Sequence, residues 1–387
     1  MVNWSLFKSK SKSKMGTSPS KSKSDLSESE SKSKSKNNDF IKLNDKYADK
    51  HIKGIANGIG KLTYFNLHLP VGVSVNYKGS ISNHFRHGNG TLEIMENSCI
   101  TTVTGIWIND KIHNGTLESK ILEKTTIKYV GDFKVDDTIK QIINSDFKAH
   151  GKGITKTSDF TYEGEYENDL KNGKGKYTVK CGTIYDGIWK DDKIYGICKI
   201  QWKLGDIYEG EVNGFKRQGK GKLTYANGDV YDGEWDNDLI KGKGTYKHIS
   251  GDVYEGEYEN DIKSGKGTFK HINGDAYDGE WKNNKREGKG IMKYIVGNVY
   301  NGEWKNDLKT GQGIMIYSNG DVYDGEWKNS LKTGQGIMKY SNGDIYNGGW
   351  ENNMYNGIGN YTYIKTNSRC IGFWVNGKPT SSIWKDI

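Results

Sequence analysis

Residues 228–251 read GDVYDGEWDNDLIKGKGTYKHISG, and this stretch decides the fold because the chain repeats it. Its centre is Tyr231, which is followed by Gly233, Trp235 and a Gly-Lys-Gly step at 242–244. The tyrosine, taken here as offset 0 of the repeat, recurs every 23 residues at Tyr162, Tyr185, Tyr208, Tyr231, Tyr254, Tyr277, Tyr300, Tyr323 and Tyr346. A fixed period of this length is typical of repeat architectures, in which each small unit packs on its neighbours.

The alternation of residue types within a repeat predicts two β-strands. Offsets 0, 2 and 4 hold Tyr, Gly and usually an aromatic residue. They share one face of a strand because side chains alternate. Offsets 11 and 13 are glycine, except that Cys198 stands at one offset 13, and offsets 15 and 17 are mostly apolar or aromatic. A glycine between two aromatic residues leaves room for a ring from a neighbouring strand to lie across the backbone.

Turn signals separate these strands. Asn-Gly pairs such as Asn227-Gly228 and Asn273-Gly274 lie between the second strand and the next first strand. They predict a tight hairpin turn with positive φ angles. The other connection, for example residues 306–310, reads as longer. We therefore predict an all-β fold, an elongated single-layer array of antiparallel β-hairpins that advances about 10 Å per repeat.

Departures from the 23-residue period predict four segments. Residues 1–38 form a disordered Lys/Ser-rich tail, and 39–150 hold degenerate repeats with loop insertions, one of them near 135–150 with a short helix. Residues 151–368 hold nine regular repeats. Residues 369–387 form a partial repeat and a C-terminal cap, to which Ile383 and Trp384 supply apolar cover.

Composition and charge limit the class of protein. Hydrophobic residues make up 33% of the chain, but the 51 glycines are phased with the repeat, which favours order over disorder. Nine lysines against three acidic residues give the tail +6 of the formal net charge of +9. The four cysteines are scattered, which indicates reduced thiols. With no long apolar segment, the sequence favours a cytoplasmic protein, either free or peripheral to a membrane.

The charged positions of the repeat predict cross-strand pairing rather than chemistry. Offsets 1 and 3 are acidic in most repeats, and offset 12 is lysine in five of the nine regular ones, so opposite charges are expected to face each other on adjacent strands. The Gly-x-Gly steps lead into strands, which is the wrong context for a phosphate loop. His248 and His271 are one period apart, too far to share a metal. We therefore expect no enzymatic activity, no cofactor and no metal.

The phrases YDGEWKNNKREGKG at 277–290 and YEGEYENDLKNGKG at 162–175 resemble the MORN repeat (membrane occupation and recognition nexus). The resemblance covers roughly residues 47–377. It implies β-hairpins stacked into a grooved sheet that acts as a scaffold, a dimerisation module or a peptide-binding groove. Contact with phospholipid is implied for some members of the family only.

Two functional hypotheses follow. The first is a non-enzymatic scaffold that binds a protein or peptide partner, or a second copy in a homodimer, along the groove. Its candidate contacts are the aromatic ladder Tyr231, Trp235, Tyr277, Trp281, Tyr300, Trp304, Tyr323, Trp327, Tyr346 and Trp350. We expect the ladder to be mostly core, with ring edges forming the floor of the groove.

The alternative is a peripheral membrane adaptor that holds anionic phospholipid through its basic tail and the lysines of the repeats. The candidate membrane contacts are Trp4, Phe7, Lys8, Lys10, Lys12 and Lys14. A solvated tail that only keeps the protein soluble is the plainer interpretation of the same residues. A basic tail is a non-specific signal for nucleic acid, so no specific nucleic acid is expected as a partner.

Overall fold

The computed structural model contains one antiparallel β-sheet. It describes residues 40–42, 51–53, 58–65, 73–83, 85–96, 99–121, 124–135 and 147–386. The predicted tail at 1–38 lies outside the described residues. The predicted helix near 135–150 falls largely on 136–146, which also lie outside them.

Within the described residues, twenty-nine strands make up this sheet. They are β1 Phe40–Lys42, β2 His51–Lys53, β3 Gly58–Phe65, β4 Val73–Ser82, β5 Phe85–Glu96, β6 Cys99–Ile108, β7 Lys111–Ile121, β8 Lys124–Val135, β9 Phe147–Thr157, β10 Phe160–Glu167, β11 Leu170–Val179, β12 Ile184–Lys190, β13 Lys193–Gln201, β14 Ile207–Asn213, β15 Lys216–Thr224, β16 Val230–Asp236, β17 Leu239–Lys247, β18 Val253–Glu259, β19 Ile262–Lys270, β20 Ala276–Lys282, β21 Lys285–Lys293, β22 Val299–Lys305, β23 Leu308–Ile316, β24 Val322–Lys328, β25 Leu331–Lys339, β26 Ile345–Glu351, β27 Met354–Tyr363, β28 Ser368–Val375 and β29 Lys378–Asp386.

Each strand pairs with the next one in the sequence, so the sheet is a continuous meander. From β12 to β26 the strands alternate between seven and nine residues, for example β16 and β17, and the register in which they pair recurs from repeat to repeat. The described residues contain no helix, and the sheet is open. The prediction of an all-β, single-layer array of hairpins is confirmed.

A line of glycines crosses this sheet at one register position. Gly60 pairs with Gly79, Gly79 with Gly90, and so on through the degenerate repeats to Gly153 and Gly164 at the start of the regular ones. The line continues to Gly372 in β28, and β13, with Cys198, is the one strand from β3 to β28 that lacks the glycine. The degenerate and regular repeats therefore form one sheet with one register.

The two kinds of turn are the reverse of what the sequence predicts. Asn306 and Asp307 both have positive φ (50° and 68°), so the connection expected to be long is a two-residue turn of type I′, and β23 begins at Leu308. At the Asn-Gly signals only the glycine has positive φ, for example Gly228 at 93°. The backbone N–H of Tyr225 donates to the carbonyl of Asp229, and the N–H of Gly228 donates to the carbonyl of Tyr225. These bonds close a three-residue loop with a glycine bulge.

One turn carries a residue poorly suited to its backbone. Ser330 has φ of 67°, where the other regular repeats, apart from Gly214-Phe215, place Asn or Asp. We expect Ser330→Asn to raise the free energy of unfolding by about 0.5–1 kcal/mol, because asparagine tolerates positive φ better. Chemical denaturation measures the shift. The same substitution at Ser318, in the neighbouring turn and without positive φ, is the control and should change stability little.

The last strand extends the sheet rather than closing it. β29 pairs with β28, and every residue with a described side chain in β29 is exposed. Trp384 is 58% exposed and stacks on Tyr363 at a centroid distance of 5.5 Å, while Ile383 is 65% exposed. These two residues, expected to supply apolar cover at the end of the array, are thus mostly exposed themselves, and Trp384 covers one face of the Tyr363 ring.

Candidate ligand-binding face

The repeat tyrosines pack their rings on the line of glycines. The Tyr231 ring lies across Gly233 and Gly244, so an added Cβ at either glycine would overlap it. Its hydroxyl donates to the carbonyl of Glu234 at 3.1 Å, and nearly every regular repeat forms the same bond. The ring over the glycine pair thus belongs to the same repeat and strand, not to a neighbouring strand as expected.

The aromatic residue at offset 4 joins one repeat to the one before it. Trp304 packs edge-to-face between Tyr277 and Tyr300, at centroid distances of 5.4 and 5.2 Å. Its indole N–H donates to the carbonyl of Gly290 at 3.1 Å, a bond that all the other tryptophans at this offset also make. The alternating rings form an unbroken edge-to-face ladder from Tyr208 to Trp374.

The ten rings named as groove contacts are consequently core. Each is at most 8% exposed, and Tyr231, Tyr300, Tyr323 and Tyr346 have no exposed surface at all. The structure brings them together in one ladder, but a ligand on this face would meet the side chains that cover them. We call this side of the sheet the tyrosine face and the opposite side the glutamate face.

One repeat lacks the pair of glycines under its tyrosine, and it shows what the pair does. Cys198 replaces the glycine and is itself buried, and Tyr185 does not lie over Gly187. Tyr185 is instead partly exposed and packs edge-to-face on Phe215 at 5.0 Å. The ladder is interrupted here, because the next offset 4 is Val212.

The glutamate face is nearly balanced in charge. Lys220 lies opposite Glu234 in the register of β15 and β16, and the same pairing of positions recurs in the following repeats. The offset-3 carboxylates accept hydrogen bonds from the backbone. Glu211, for example, accepts the backbone N–H of Lys220 at 3.0 Å, and this bond spans the bulge formed where Gly219 has φ of 63°. In residues 147–386, no ion pair within 4.0 Å joins an offset-12 lysine to these carboxylates.

A row of cations covers the ladder on the tyrosine face. Arg217, at offset 9, lies over the Trp235 ring, with its guanidinium carbon 4.0 Å from the centroid. Asp238 of the next turn accepts both its backbone N–H and its Nε–H, at 2.9 and 3.1 Å. The same arrangement pairs three further offset-9 cations with an aspartate of the next turn: Arg86 with Asp110, Lys171 with Asp192, and Arg286 with Asp307.

Three lysines in this row lack that aspartate. In the next turn, Lys263 meets Asn284, Lys309 meets Ser330, and Lys332 meets Asn353, each of which accepts only the backbone N–H of the lysine. Among the described residues, no carboxylate forms an ion pair with any of the three ammonium groups.

Aromatic rings surround these three ammonium groups instead. Lys309 Nζ lies 5.0–5.4 Å from the centroids of Tyr294, Tyr300 and Trp327, and Lys263 and Lys332 each have three such rings. Burial lowers the pKa of Lys332 to about 8, and burial together with the charges of Arg286 and Lys332 lowers the pKa of Lys309 to about 8.

Partly exposed aromatic and methionine side chains at offsets 15 and 17 complete the surface of this face. Phe269, Met292 and Tyr294 are half-buried and pack against the ladder. A pocket of about 290 Å³ opens between two repeats, where Lys263, Phe269 and Arg286 line it together with His271, Asp275, Tyr277, Trp281, Met292 and Asp307. The accessible tyrosine face therefore offers cations set among aromatic rings, a combination suited to an extended chain with acidic groups.

The comparison with protein families identifies the repeat. Ten stretches match the family model described as MORN repeat: residues 77–94, 162–178, 185–206, 208–230, 231–253, 254–276, 277–299, 300–322, 323–345 and 346–367. Together they cover more than half of the chain. The chain is a MORN-repeat protein. The resemblance stated from the sequence is thus confirmed, and the match at 77–94 places one of the degenerate repeats in the same family.

Other comparisons with this MORN-repeat protein are distant. No curated protein matches the chain. The SAS-4 (dCPAP) TCP domain of Drosophila melanogaster, solved in complex with a proline-rich motif of Ana2 (dSTIL), is similar at 12% identity over 39% of this chain and 81% of that chain, with a TM-score of 0.26. Streptogramin B lyase is similar at 13% identity over 59% and 74% of the two chains, with a TM-score of 0.13. Neither likeness identifies a function.

The offset-9 cations of the MORN repeats are the contacts that the sequence analysis missed. The sequence pattern places offset 9 in the longer connection, whereas it lies in a strand, as Lys309 does in β23. The sequence does carry a signal, because Lys or Arg stands at this offset in six of the nine regular repeats, at Lys171, Arg217, Lys263, Arg286, Lys309 and Lys332.

The remaining predicted sites stay predictions. Trp4, Phe7, Lys8, Lys10, Lys12 and Lys14 lie outside the described residues. In the part of the chain that the structure describes, no helix has the length and hydrophobicity to cross a bilayer. Within those same residues, no group of three His, Cys, Asp or Glu side chains is placed to hold a metal ion.

Proposed function

We propose that this MORN-repeat protein is a non-enzymatic scaffold whose tyrosine face binds an extended segment of a partner protein. The observation that carries the proposal is the recurring surface of that face, where half-buried aromatic rings and offset-9 cations alternate over successive repeats. Aromatic-lined grooves suit extended peptides because such ligands are thin and lose little conformational entropy on binding.

The charge of the two faces favours this function over the membrane alternative. Lysines of the glutamate face, such as Lys243, lie in register with glutamates, here Glu257, so that face offers little net attraction to anionic lipid. On the tyrosine face the offset-9 cations lie among aromatic rings, where an extended peptide can reach them. Lipid contact through the tail remains a separate proposal, for which loss of binding to phosphatidylserine vesicles on removal of residues 1–38 is the test.

Selection from a random dodecapeptide library tests the scaffold function. We expect the full-length chain to enrich peptides whose binding is weakened at least tenfold when Tyr294, Tyr317 and Tyr340 are replaced together by serine. These tyrosines lie at offset 17 on the tyrosine face of three consecutive repeats.

The matched control replaces Ile291, Ile314 and Ile337 by serine, at offset 14 on the glutamate face of the same repeats. Circular dichroism verifies that both variants fold. Enriched peptides that bind both triple variants equally well, or no enrichment at all, would refute binding along the tyrosine face.

A further inference from the structure

We propose that Lys263, Lys309 and Lys332 recognise the partner through carboxylate side chains on an extended acidic segment, which supply the negative charge that a turn aspartate supplies to the paired cations. This inference rests on the proposed function and names the chemistry of the segment. Its basis is a comparison within one chain. Offset-9 cations that face an aspartate are paired, whereas these three face Asn284, Ser330 and Asn353.

The paired sites show that a carboxylate fits beside an offset-9 cation. At Lys171, one oxygen of Asp192 accepts from Nζ and from the backbone N–H, both at 2.9 Å. At Lys309 the corresponding backbone N–H donates to the Ser330 hydroxyl at 3.1 Å, and the ammonium retains its capacity to donate. A ligand carboxylate would therefore complete an arrangement that the fold already forms elsewhere.

Carboxylates near these lysines are already engaged. Asp252 accepts the backbone N–H of Ile272 at 2.8 Å and pairs with His271. Asp321 accepts the backbone N–H of Ser341 at 2.8 Å. Both favour the charged form of the nearest lysine, yet neither lies within ion-pair distance of it. Because these aspartates recur beside the row, a broad anionic surface such as a membrane would be repelled, whereas a single chain can pass between them.

The repeat spacing sets the spacing of the acidic residues. Two strands of about 4.8 Å each separate equivalent cations by about 10 Å. A polyproline II segment has three residues per turn and rises about 3.1 Å per residue, so side chains i and i+3 point the same way about 9 Å apart. In a β-strand, i and i+3 would point to opposite sides. The segment should carry Asp or Glu three residues apart for Lys309 and Lys332, and a third acid six residues further on for Lys263.

The intervening cation predicts a gap in this pattern. Arg286 lies between Lys263 and Lys309 in the row and is already paired with Asp307, through Nε at 3.1 Å and through Nη2 to the backbone carbonyl. An acidic residue opposite Arg286 would gain little. The expected motif is therefore acid at i, i+3 and i+9, with the i+6 position free of that requirement.

Fluorescence anisotropy with a labelled synthetic peptide on the full-length chain tests the inference. The probe has twelve residues, with glutamate at positions 2, 5 and 11 in a background of proline and alanine. We expect the double variant Ser330→Asp with Asn353→Asp to bind it at least thirtyfold more weakly, because the new aspartates pair with Lys309 and Lys332. Aspartate suits these turns, where Asp307 and Asp238 already have φ of 68° and 72°.

Two controls separate charge from shape. Ser330→Asn places an uncharged turn residue at the same position and should change the affinity by less than twofold. Asp307→Asn frees Arg286 and should make a peptide with an additional glutamate at position 8 bind about tenfold more tightly than it binds the unaltered chain. The two substitutions of opposite charge thus have effects of opposite sign.

Several outcomes would overturn the inference. These are equal binding to the aspartate double variant, equal binding of a peptide with glutamates at positions 2, 4 and 6, and displacement of the probe by phosphatidylserine vesicles at equal charge. If library selection yields peptides specific for the tyrosine face but the glutamate probe does not bind, the acidic motif is wrong and the scaffold function stands. If neither binds, both fail.

Discussion

Gly244→Ala is expected to lower the free energy of unfolding by about 2–4 kcal/mol, although it adds one methyl group. The new Cβ would overlap the Tyr231 ring, which lies on Gly233 and Gly244 with no exposed surface. Neither the sheet nor the ring can move aside, because the ring is also held edge-to-face between Trp235 and Tyr258. The Tyr231 ring must move off the glycine pair, as the Tyr185 ring is displaced beside Cys198. The core packing between two repeats is lost with it.

Chemical denaturation of the full-length chain measures this loss. Lys243→Ala changes the neighbouring residue, which is exposed on the glutamate face, and should shift the free energy of unfolding by less than about 0.5 kcal/mol. Tryptophan fluorescence should report the displacement of the Tyr231 ring directly, since Trp235 contacts that ring. Equal stability of the two variants would show that the glycines are not needed to make room for the tyrosine rings.

Alkaline pH is expected to unfold the whole array cooperatively between about pH 10 and 12. Burial raises the pKa of Tyr346 in the ladder and of Tyr77 in a degenerate repeat to about 12, and it raises the pKa of Tyr231 and Tyr300 further still, above the ordinary value near 10. Above pH 10 the unfolded chain therefore binds fewer protons than the folded one. The stabilisation is fully present below pH 10 and is lost as pH rises toward the folded pKa.

Lys309 and Lys332 act with the opposite sign in a lower window. Their lowered pKa means that the folded state binds fewer protons than the unfolded state between about pH 8 and 10.5, so stability rises with pH there before the tyrosines reverse the trend. Absorbance at 295 nm and far-ultraviolet circular dichroism should change together above pH 10. Ionisation of most tyrosines near pH 10 without loss of circular dichroism would contradict the buried ladder.

The period and the alternation of residue types were enough to predict the hairpin array, because the tyrosine, glycine and tryptophan positions are dictated by packing within a repeat and against the preceding one. The turns differ from the prediction for a physical reason. Asn306-Asp307 and Asn227-Gly228 both permit positive φ, and the choice between them depends on the bulge at Gly311 and on pairing across the strands, which the local sequence does not show.

The candidate site was predictable only in part. The ladder rings lie together, but offset-9 Lys and Arg side chains lie over them, as Arg217 of β15 lies over Trp235 of β16. The difference between Lys309 and Arg286 arises from residues 21 positions further on, Ser330 and Asp307, which contact the preceding repeat across the sheet. A contact of this range becomes visible only once the register of the strands is known.

Site-specific photo-crosslinking tests most directly the claim that the tyrosine face is the binding surface. A photoreactive phenylalanine analogue would replace Tyr317 on the tyrosine face in one protein and Ile314 on the glutamate face of the same repeat in another. With a library-selected peptide present, we predict crosslinks from position 317 that unlabelled peptide suppresses, and none from position 314. Crosslinks from position 314 alone would contradict the account.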